Sequence, residues 1–237
     1  YETLGHAEVG VFDGALQKHD RSFKKPHRKM KFGHYIKQIT SNEDSDVRLF
    51  LFNIFKHAPD LRNDFDFPPL TRLYLKSVPF MFFGGKNAVV RMHQDMDWSN
   101  VFLTQLHGKK EVILFHPKYS KLLYRYPFNV HSAVDIERPD YSKFPGLVHV
   151  EGMRCVLEPG DTLFIPSGHW HYIKYLEGGY AINQRALSPY PSRWLRGLWH
   201  VAVLSNADEI MRWTFGDTWY KYKYEKALTV PAKNCKN

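Results

Sequence analysis

Residues 159–171 read Pro159-Gly160-Asp161-Thr162-Leu163-Phe164-Ile165-Pro166-Ser167-Gly168-His169-Trp170-His171. A Pro-Gly-Asp turn launches an apolar strand, a Pro-Ser-Gly turn ends it, and a histidine enters the next strand. Side chains alternate between the faces of a strand. If His171 faces inward, so do Ile173 and Tyr175, while Trp170, Tyr172 and Lys174 face outward. Further short runs of the same kind flank this stretch: Pro79–Phe83, Ala88–His93, Asn100–His107, Glu111–Phe115, Cys155–Leu157, Thr162–Ile165, Trp170–Leu176 and Tyr180–Leu187. Runs of this length, punctuated by Gly, Pro and Asp, predict a mainly β chain folded as a sandwich or barrel.

Before this region the sequence mixes loops with a helix-like stretch, Met30 to Ile39, and an apolar run, Val47 to Phe55. After it the period changes. Trp194, Leu195, Leu198, Trp199, Ala202 and Val203 form a 3.6-residue stripe with Pro191 near its start. Ser205 and Asp208 have capping-box spacing, and Asp217 can cap a last helix carrying Trp219, Tyr220, Tyr222 and Tyr224. Helices this rich in aromatic residues must bury them, either over the barrel end or against a second copy of the chain. Residues 1–190 therefore read as one domain with an N-terminal helical cover, and 191–237 as a C-terminal helical segment serving as cover or dimer interface.

The 237 residues, 43% hydrophobic and 24% charged, suffice for one large core. No apolar run approaches membrane-span length, which predicts no membrane partner. The first thirty residues lack a signal-peptide core, although a chain that starts at Tyr1 rather than at a methionine is open to a trimmed or truncated N-terminus. Two distant cysteines, Cys155 and Cys235, with no CxxC, point to a reducing, cytoplasmic setting and against a disulfide scaffold or a structural zinc site. The net charge of +9 favours encounter with anions such as nucleic acid, ribosome or a carboxylate substrate.

His-x-Asp occurs once, as His93-Gln94-Asp95; His-x-Glu occurs as His6-Ala7-Glu8 and His149-Val150-Glu151. Only His93 ends a β-like run, and on a strand i and i+2 share a face, so His93 and Asp95 can enter one cavity. His171 is the best third ligand, with His169 in the preceding turn as its competitor. Two imidazoles and a carboxylate form the facial triad of non-haem Fe(II) oxygenases, and zinc also accepts this set. The absence of a His-Glu-x-x-His helix argues against a metalloprotease.

The stretch Arg91-Met92-His93-Gln94-Asp95, then Gln105-Leu106-His107-Gly108-Lys109-Lys110 running into Glu111–Phe115, then the 159–171 segment, resembles the JmjC (cupin-like) 2-oxoglutarate oxygenases. Ser132-Ala133-Val134-Asp135 and Pro139–Pro145 resemble in particular the protein-hydroxylase branch that includes the asparaginyl hydroxylase factor inhibiting HIF. The likeness covers roughly residues 30 to 190. It implies a double-stranded β-helix, Fe(II) as the metal, and 2-oxoglutarate and O2 as co-substrates. His93, Asp95 and His171 fall on the iron ligands, and Lys110 on the residue that holds the far carboxylate of 2-oxoglutarate. A buried carboxylate must be paired, and a strand lysine supplies that charge at fixed depth. Lys109 reads as a solvated neighbour.

Two positions depart from the family pattern: Phe50 stands where a tyrosine is expected, and Val90 where a threonine or serine is. Thr104, Asn100, Tyr74 and Arg91 are the candidates to supply the missing polar contacts. Asn183 resembles a polar residue near the iron. Asp97, Trp98 and the Tyr124–Tyr126 region are candidates for the substrate mouth.

The resemblance implies hydroxylation of a substrate C–H bond coupled to decarboxylation of 2-oxoglutarate to succinate, with a protein side chain as the expected acceptor. RNA is the runner-up, since some JmjC oxygenases act on tRNA. The excess charge at Lys221, Lys223, Lys226, Lys233 and Lys236 lies in the helical segment, away from the expected iron, which weakens the RNA reading. N-methyl demethylation uses the same chemistry. A metal-binding cupin module without catalysis and a zinc-dependent hydrolase or isomerase are the rival classes.

Overall fold

The computed structural model describes residues 2–14, 26–41, 43–77 and 79–234; Cys235 and Lys236 lie outside the described residues, as does the side chain of Lys233. Among the described residues eleven strands and four α-helices follow in chain order: α1 (Glu2–Gly5), β1 (Glu8–Asp13), β2 (Arg28–Lys31), α2 (Phe32–Thr40), β3 (Val47–Phe52), β4 (Phe80–Gly84), β5 (Val89–His93), β6 (Asn100–His107), β7 (Lys110–Phe115), β8 (Gly152–Leu157), β9 (Thr162–Ile165), β10 (Trp170–Tyr175), β11 (Gly179–Ala186), α3 (Pro191–Trp199) and α4 (Ser205–Asn234).

The strands form two sheets. One has seven strands in the order β2-β1-β3-β4-β11-β6-β9, the other four in the order β5-β10-β7-β8, and the strands within each pair antiparallel. The fold is the jelly-roll arrangement of cupins, two sheets face to face. Alternation decides what each strand contributes. Val101, Leu103, Val112, Leu114, Leu157, Ile165 and Ala181 meet between the sheets. The back of the larger sheet, with Val47, Leu49, Met81, Phe83 and Ile182, is covered by Phe32, Tyr35 and Ile39 of α2. The back of the smaller sheet, with Met92, Phe115, Trp170 and Tyr172, is covered by Leu123, Tyr124, Val134, Phe144 and Leu147 of the long β7–β8 connection.

Three expectations change. The helix expected from Met30 begins at Phe32, because Met30 pairs with Val9 in the β1–β2 hairpin. The capping box at Ser205 does not start a helix. The chain runs from α3 through a π-helical turn, His200–Leu204, straight into α4, so Ser205 has no helix start to cap and Asp208 is buried instead. A break does fall one residue before Asp217, at Gly216, whose φ of 52° the missing side chain permits.

The helical segment also lies closer to the site than expected. α3 docks through Gly197, where an added Cβ would come within 2.0 Å of the Asp97 carbonyl oxygen. His200, Val201, Leu204, Ser205 and Asp208 thereby line the cavity between the sheets. Among the described residues no helix is long and apolar enough to cross a membrane.

Candidate metal centre

The site lies in a cavity of about 560 Å³ at the open end of the two sheets. β10 carries His171 directly opposite His93 of β5. A bulge in β5 sets His93 against His171 and Val90 against Ile173, so that Arg91 and Met92 share one step of the partner strand. Val90 and His93 therefore both face the cavity. The two imidazole centroids lie 4.2 Å apart.

His93 Nδ1 lies 2.9 Å from the Arg91 carbonyl, and His171 Nδ1 lies 3.3 Å from the His169 carbonyl. A carbonyl only accepts, so both Nδ1 atoms donate and both Nε2 lone pairs point the other way. They converge on Asp95, whose Oδ1 is 3.8 Å from His93 Nε2 and 4.0 Å from His171 Nε2. Burial, then the neighbouring His171 and His131 rings, hold His93 well below the usual imidazole range, so it stays neutral and able to ligate. Burial alone would raise Asp95, but the Arg185 guanidinium and the two imidazoles outweigh it and keep the carboxylate ionised.

One ligand atom from each of His93, Asp95 and His171 lies within 4.8 Å of the others, and among the described residues no other His, Cys, Asp or Glu group is gathered in this way. Two imidazoles and one carboxylate fit a divalent iron or zinc ion. His169, the competing ligand, is not in this group; its ring stands edge-on to His116 at 5.3 Å.

The opposite end of the cavity is cationic. Gln105 Nε2 donates to the carbonyls of His107 (2.6 Å) and Gly108 (3.0 Å), and Gly108 takes a φ of 69°. This turn starts β7 at Lys110, directly opposite Tyr175 in the β7–β10 ladder. Lys110 is 1% exposed, with Nζ 4.4 Å from the centroid of the Tyr175 ring, and burial pushes its ammonium down to about 7. The Tyr175 ring fits because residue 84 is glycine; a Cβ there would sit 2.6 Å from Tyr175 Cζ. Arg48 and Phe50 of β3 line the same end. Lys109 faces outward and pairs with Glu158 at 2.8 Å.

The substitutes expected for the missing hydroxyls lie elsewhere. Thr104 is on the outer face of β6, hydrogen-bonded to Thr162 at 2.9 Å. Asn100, on the same outer parity, accepts from the Ser167 backbone N–H at 2.9 Å. Tyr74 packs outside against Phe67 and Phe102. None of the three borders the cavity, and neither does Arg91. The physical cause is the alternation of β6, which turns Val101 and Leu103 inward and the even-numbered residues outward. Asn183 does face the cavity, buried, with Oδ1 lacking a hydrogen-bond partner, which suits a polar ligand. Asp97 also lines the cavity, while Tyr124 and Tyr126 are buried, Tyr124 in the cluster behind the smaller sheet.

The sequence reading missed several cavity residues. Arg185 bridges Asp95 (3.4 Å) and Asp97 (2.5 Å), and its position two residues after Asn183 on one strand could have revealed it. Asn129, His131 and Asp208 come from a loop and a helix, where no strand period marks them.

The model of the cupin-like domain family matches residues 3–184, and the chain belongs to that family. It is 33% identical over 153 residues to lysine-specific demethylase 8 of Danio rerio, covering 61% of this chain and 37% of that protein. It is 32% identical over 168 residues to JmjC domain-containing protein D of Dictyostelium discoideum, covering 62% and 37%. It is 30% identical over 186 residues to tRNA wybutosine-synthesizing protein 5 of Gallus gallus, covering 77% and 54%. The chain thus spans about a third to a half of the length of these curated relatives.

Proposed function

We propose that this chain is an Fe(II)- and 2-oxoglutarate-dependent oxygenase that hydroxylates a C–H bond, with a protein side chain as acceptor. The observation that carries this reading is the placement of His93, Asp95 and His171 in one cavity that the buried Lys110 also lines. In the proposed reaction the iron supplies oxidation of the substrate by O2, coupled to decarboxylation of 2-oxoglutarate. The chain's own groups do the rest. His93, Asp95 and His171 would hold the metal. Lys110, with Tyr175 beside it, receives the far carboxylate of 2-oxoglutarate and takes up the proton that burial had driven off. Asn183 offers a polar contact near the metal. The apolar walls, Phe80, Phe82, Leu103 and Ile165 among them, exclude water.

Protein as acceptor is supported by the resemblance of Ser132–Asp135 and Pro139–Pro145 to the protein hydroxylases, and by relatives named as lysine-specific and arginine-specific demethylases. RNA is the second reading, favoured by the alignment with the tRNA wybutosine-synthesizing protein, which extends over more of this chain than the alignment with the demethylase. We further propose that residues 1–190 and 191–237 act as one catalytic unit and that it works in the cytoplasm. Among the described residues Cys155 has no disulfide partner. The exposed Leu198, Trp199, Ile210 and Trp213 of the helical segment support a homodimer formed through that segment.

The test is anaerobic titration of the protein with Fe(II) and 2-oxoglutarate. A visible charge-transfer absorption should appear and be absent in His93→Ala, and admission of O2 should yield succinate. Absence of both signals from the unaltered protein would overturn the oxygenase reading and favour a non-catalytic cupin module. Turnover of a substrate without O2 would favour a zinc hydrolase or isomerase.

A further inference from the structure

We propose that Arg125 and Arg196, gathered around Trp98 and His200 beside the mouth of the cavity, bind the side-chain carboxylate of an acidic residue in the protein substrate, close in sequence to the residue that is modified. The inference deepens the oxygenase reading and rests on it for the placing of a peptide over this cavity.

Three separate parts of the chain meet at Trp98. This residue lies in the β5–β6 connection, buried, and its indole edge packs over Gly168, where a Cβ would come within 2.7 Å of Cζ3. α3 brings Arg196 onto the ring, with the guanidinium carbon 4.4 Å from the centroid. The π-helical turn that follows brings His200 perpendicular to the indole at 5.9 Å. Arg125 comes from the β7–β8 connection, where it stands opposite Ser132.

What this corner lacks is an anion. Burial first and then the Arg196 charge hold the Arg125 guanidinium below its ordinary value, and burial, Arg125 and Arg196 together push His200 down to about 4. Among the described residues no carboxylate offsets them. The three acids of the cavity wall are engaged elsewhere, Asp95 and Asp97 by Arg185, and Asp208 by Arg212 and Lys223. Trp98 Nε1, on the indole edge away from Gly168, is a buried donor with no acceptor among the described residues. Guanidinium groups stay charged over the whole accessible pH range, so two of them this close repel until an anion lies between them.

The position gives that anion a source. His200 belongs both to this corner and to the cavity wall, so a group held by the arginines lies at the edge of the space that receives substrate. Around the same mouth Leu51, Phe128 and Val201 are exposed and apolar. A peptide suits such a surface, since it can set apolar side chains on these residues and one carboxylate between the guanidiniums. A nucleic acid carries a charge on every phosphate and needs a track of cations, which these residues do not offer.

The experiment measures binding of fluorescein-labelled hexapeptides to the full chain by fluorescence anisotropy. Hexaglutamate should bind at least about tenfold more tightly than hexaglutamine at physiological salt. Arg196→Gln, at an exposed position of α3 that spares the core, should remove most of that preference, and combination with Arg125→Gln should abolish it. Lys37→Gln removes the same charge from the exposed face of α2, behind the larger sheet, and should leave the preference intact. No preference for glutamate, a preference that survives the double replacement, or an equal loss in Lys37→Gln would each overturn the proposal. So would labelled hexauridylate that binds more tightly than hexaglutamate and loses that affinity in Arg196→Gln, an outcome that assigns the corner to RNA. Binding here needs neither O2 nor turnover, so its failure and failure to form succinate are separate results.

Discussion

Arg185 Nη2 stands 3.4 Å from Asp95 Oδ1, the same oxygen that faces both imidazoles of the candidate metal centre. A guanidinium on the ligand oxygen keeps that carboxylate charged before any metal arrives. Asp97 and Ser99, on the other side of Arg185 at 2.5 and 3.0 Å, keep the guanidinium in place.

Arg185→Gln should therefore leave the largely buried Asp95 carboxylate, and the half-exposed Asp97, without their cation. Expected is a loss of about 3 kcal/mol from the metal-free protein, partly recovered on adding a divalent metal, measured by urea denaturation with and without zinc. The pH dependence has a definite sign. Asp95 is depressed below its unfolded value, so its contribution is present above that value and lost as pH falls through the folded one. In the variant that acid loss should move to higher pH, and an unmoved acid limb would deny Arg185 this role.

Lys110 gives the opposite case. Burial lowers it from 10.5 to about 7, so between those values the unfolded chain binds the extra proton and stability rises with pH. The stability deficit of the native protein relative to Lys110→Met should accordingly narrow as pH is raised from about 7 toward 10. Binding of 2-oxoglutarate near pH 8.5 should take up close to one proton, read by calorimetry in two buffers of different ionisation enthalpy. Lys110→Ala should raise the 2-oxoglutarate requirement by about tenfold to a hundredfold, and an unchanged requirement would remove its assigned role.

Asp208 has the buried Lys223 ammonium as partner, and Lys223 is 0% exposed. Asp208→Ala should cost about 3–5 kcal/mol, because it strands a buried charge. Asp208→Asn retains an acceptor and should cost less. Equal losses in thermal denaturation for the two variants would mean that the charge of Asp208 alone, and not its packing or its hydrogen bonds, holds α4 in place.

Trp213 is 88% exposed on a segment that also exposes Leu198, Trp199 and Ile210. If these surfaces meet in a homodimer, sedimentation should give twice the chain mass of 27.9 kDa, and Trp213→Glu should halve it while leaving the cavity intact. A monomer at micromolar concentration would remove the dimer proposal.

Most barrel strands were legible because each is half-buried and alternates: β6 and β9 have the ends expected from the apolar runs, and β4, β5, β7, β10 and β11 differ by a residue or two. The β1–β2 hairpin was not, since β2 carries Met30 as its one apolar residue and is recognisable only by its pairing with β1. The geometry around Phe50 and Val90 shows the limit of local reading. The phenol expected at Phe50 has a neighbour at the Lys110 end in Tyr175, a residue whose inward face alternation gave and whose cross-strand partner it did not.

The donor types were legible in the sequence: the His93-Gln94-Asp95 spacing at the end of β5 and the turn-strand-turn pattern of 159–171 named His93, Asp95 and, against His169, His171. Those are local facts, fixed by covalent geometry over a few residues. Only the tertiary structure decided which polar groups surround that set. Arg185, His131 and Asp208 reach the cavity from three different parts of the chain, and Thr104, Asn100 and Tyr74 are kept from it, because sheet pairing and the docking of α3 at Gly197 set distances between residues far apart in sequence.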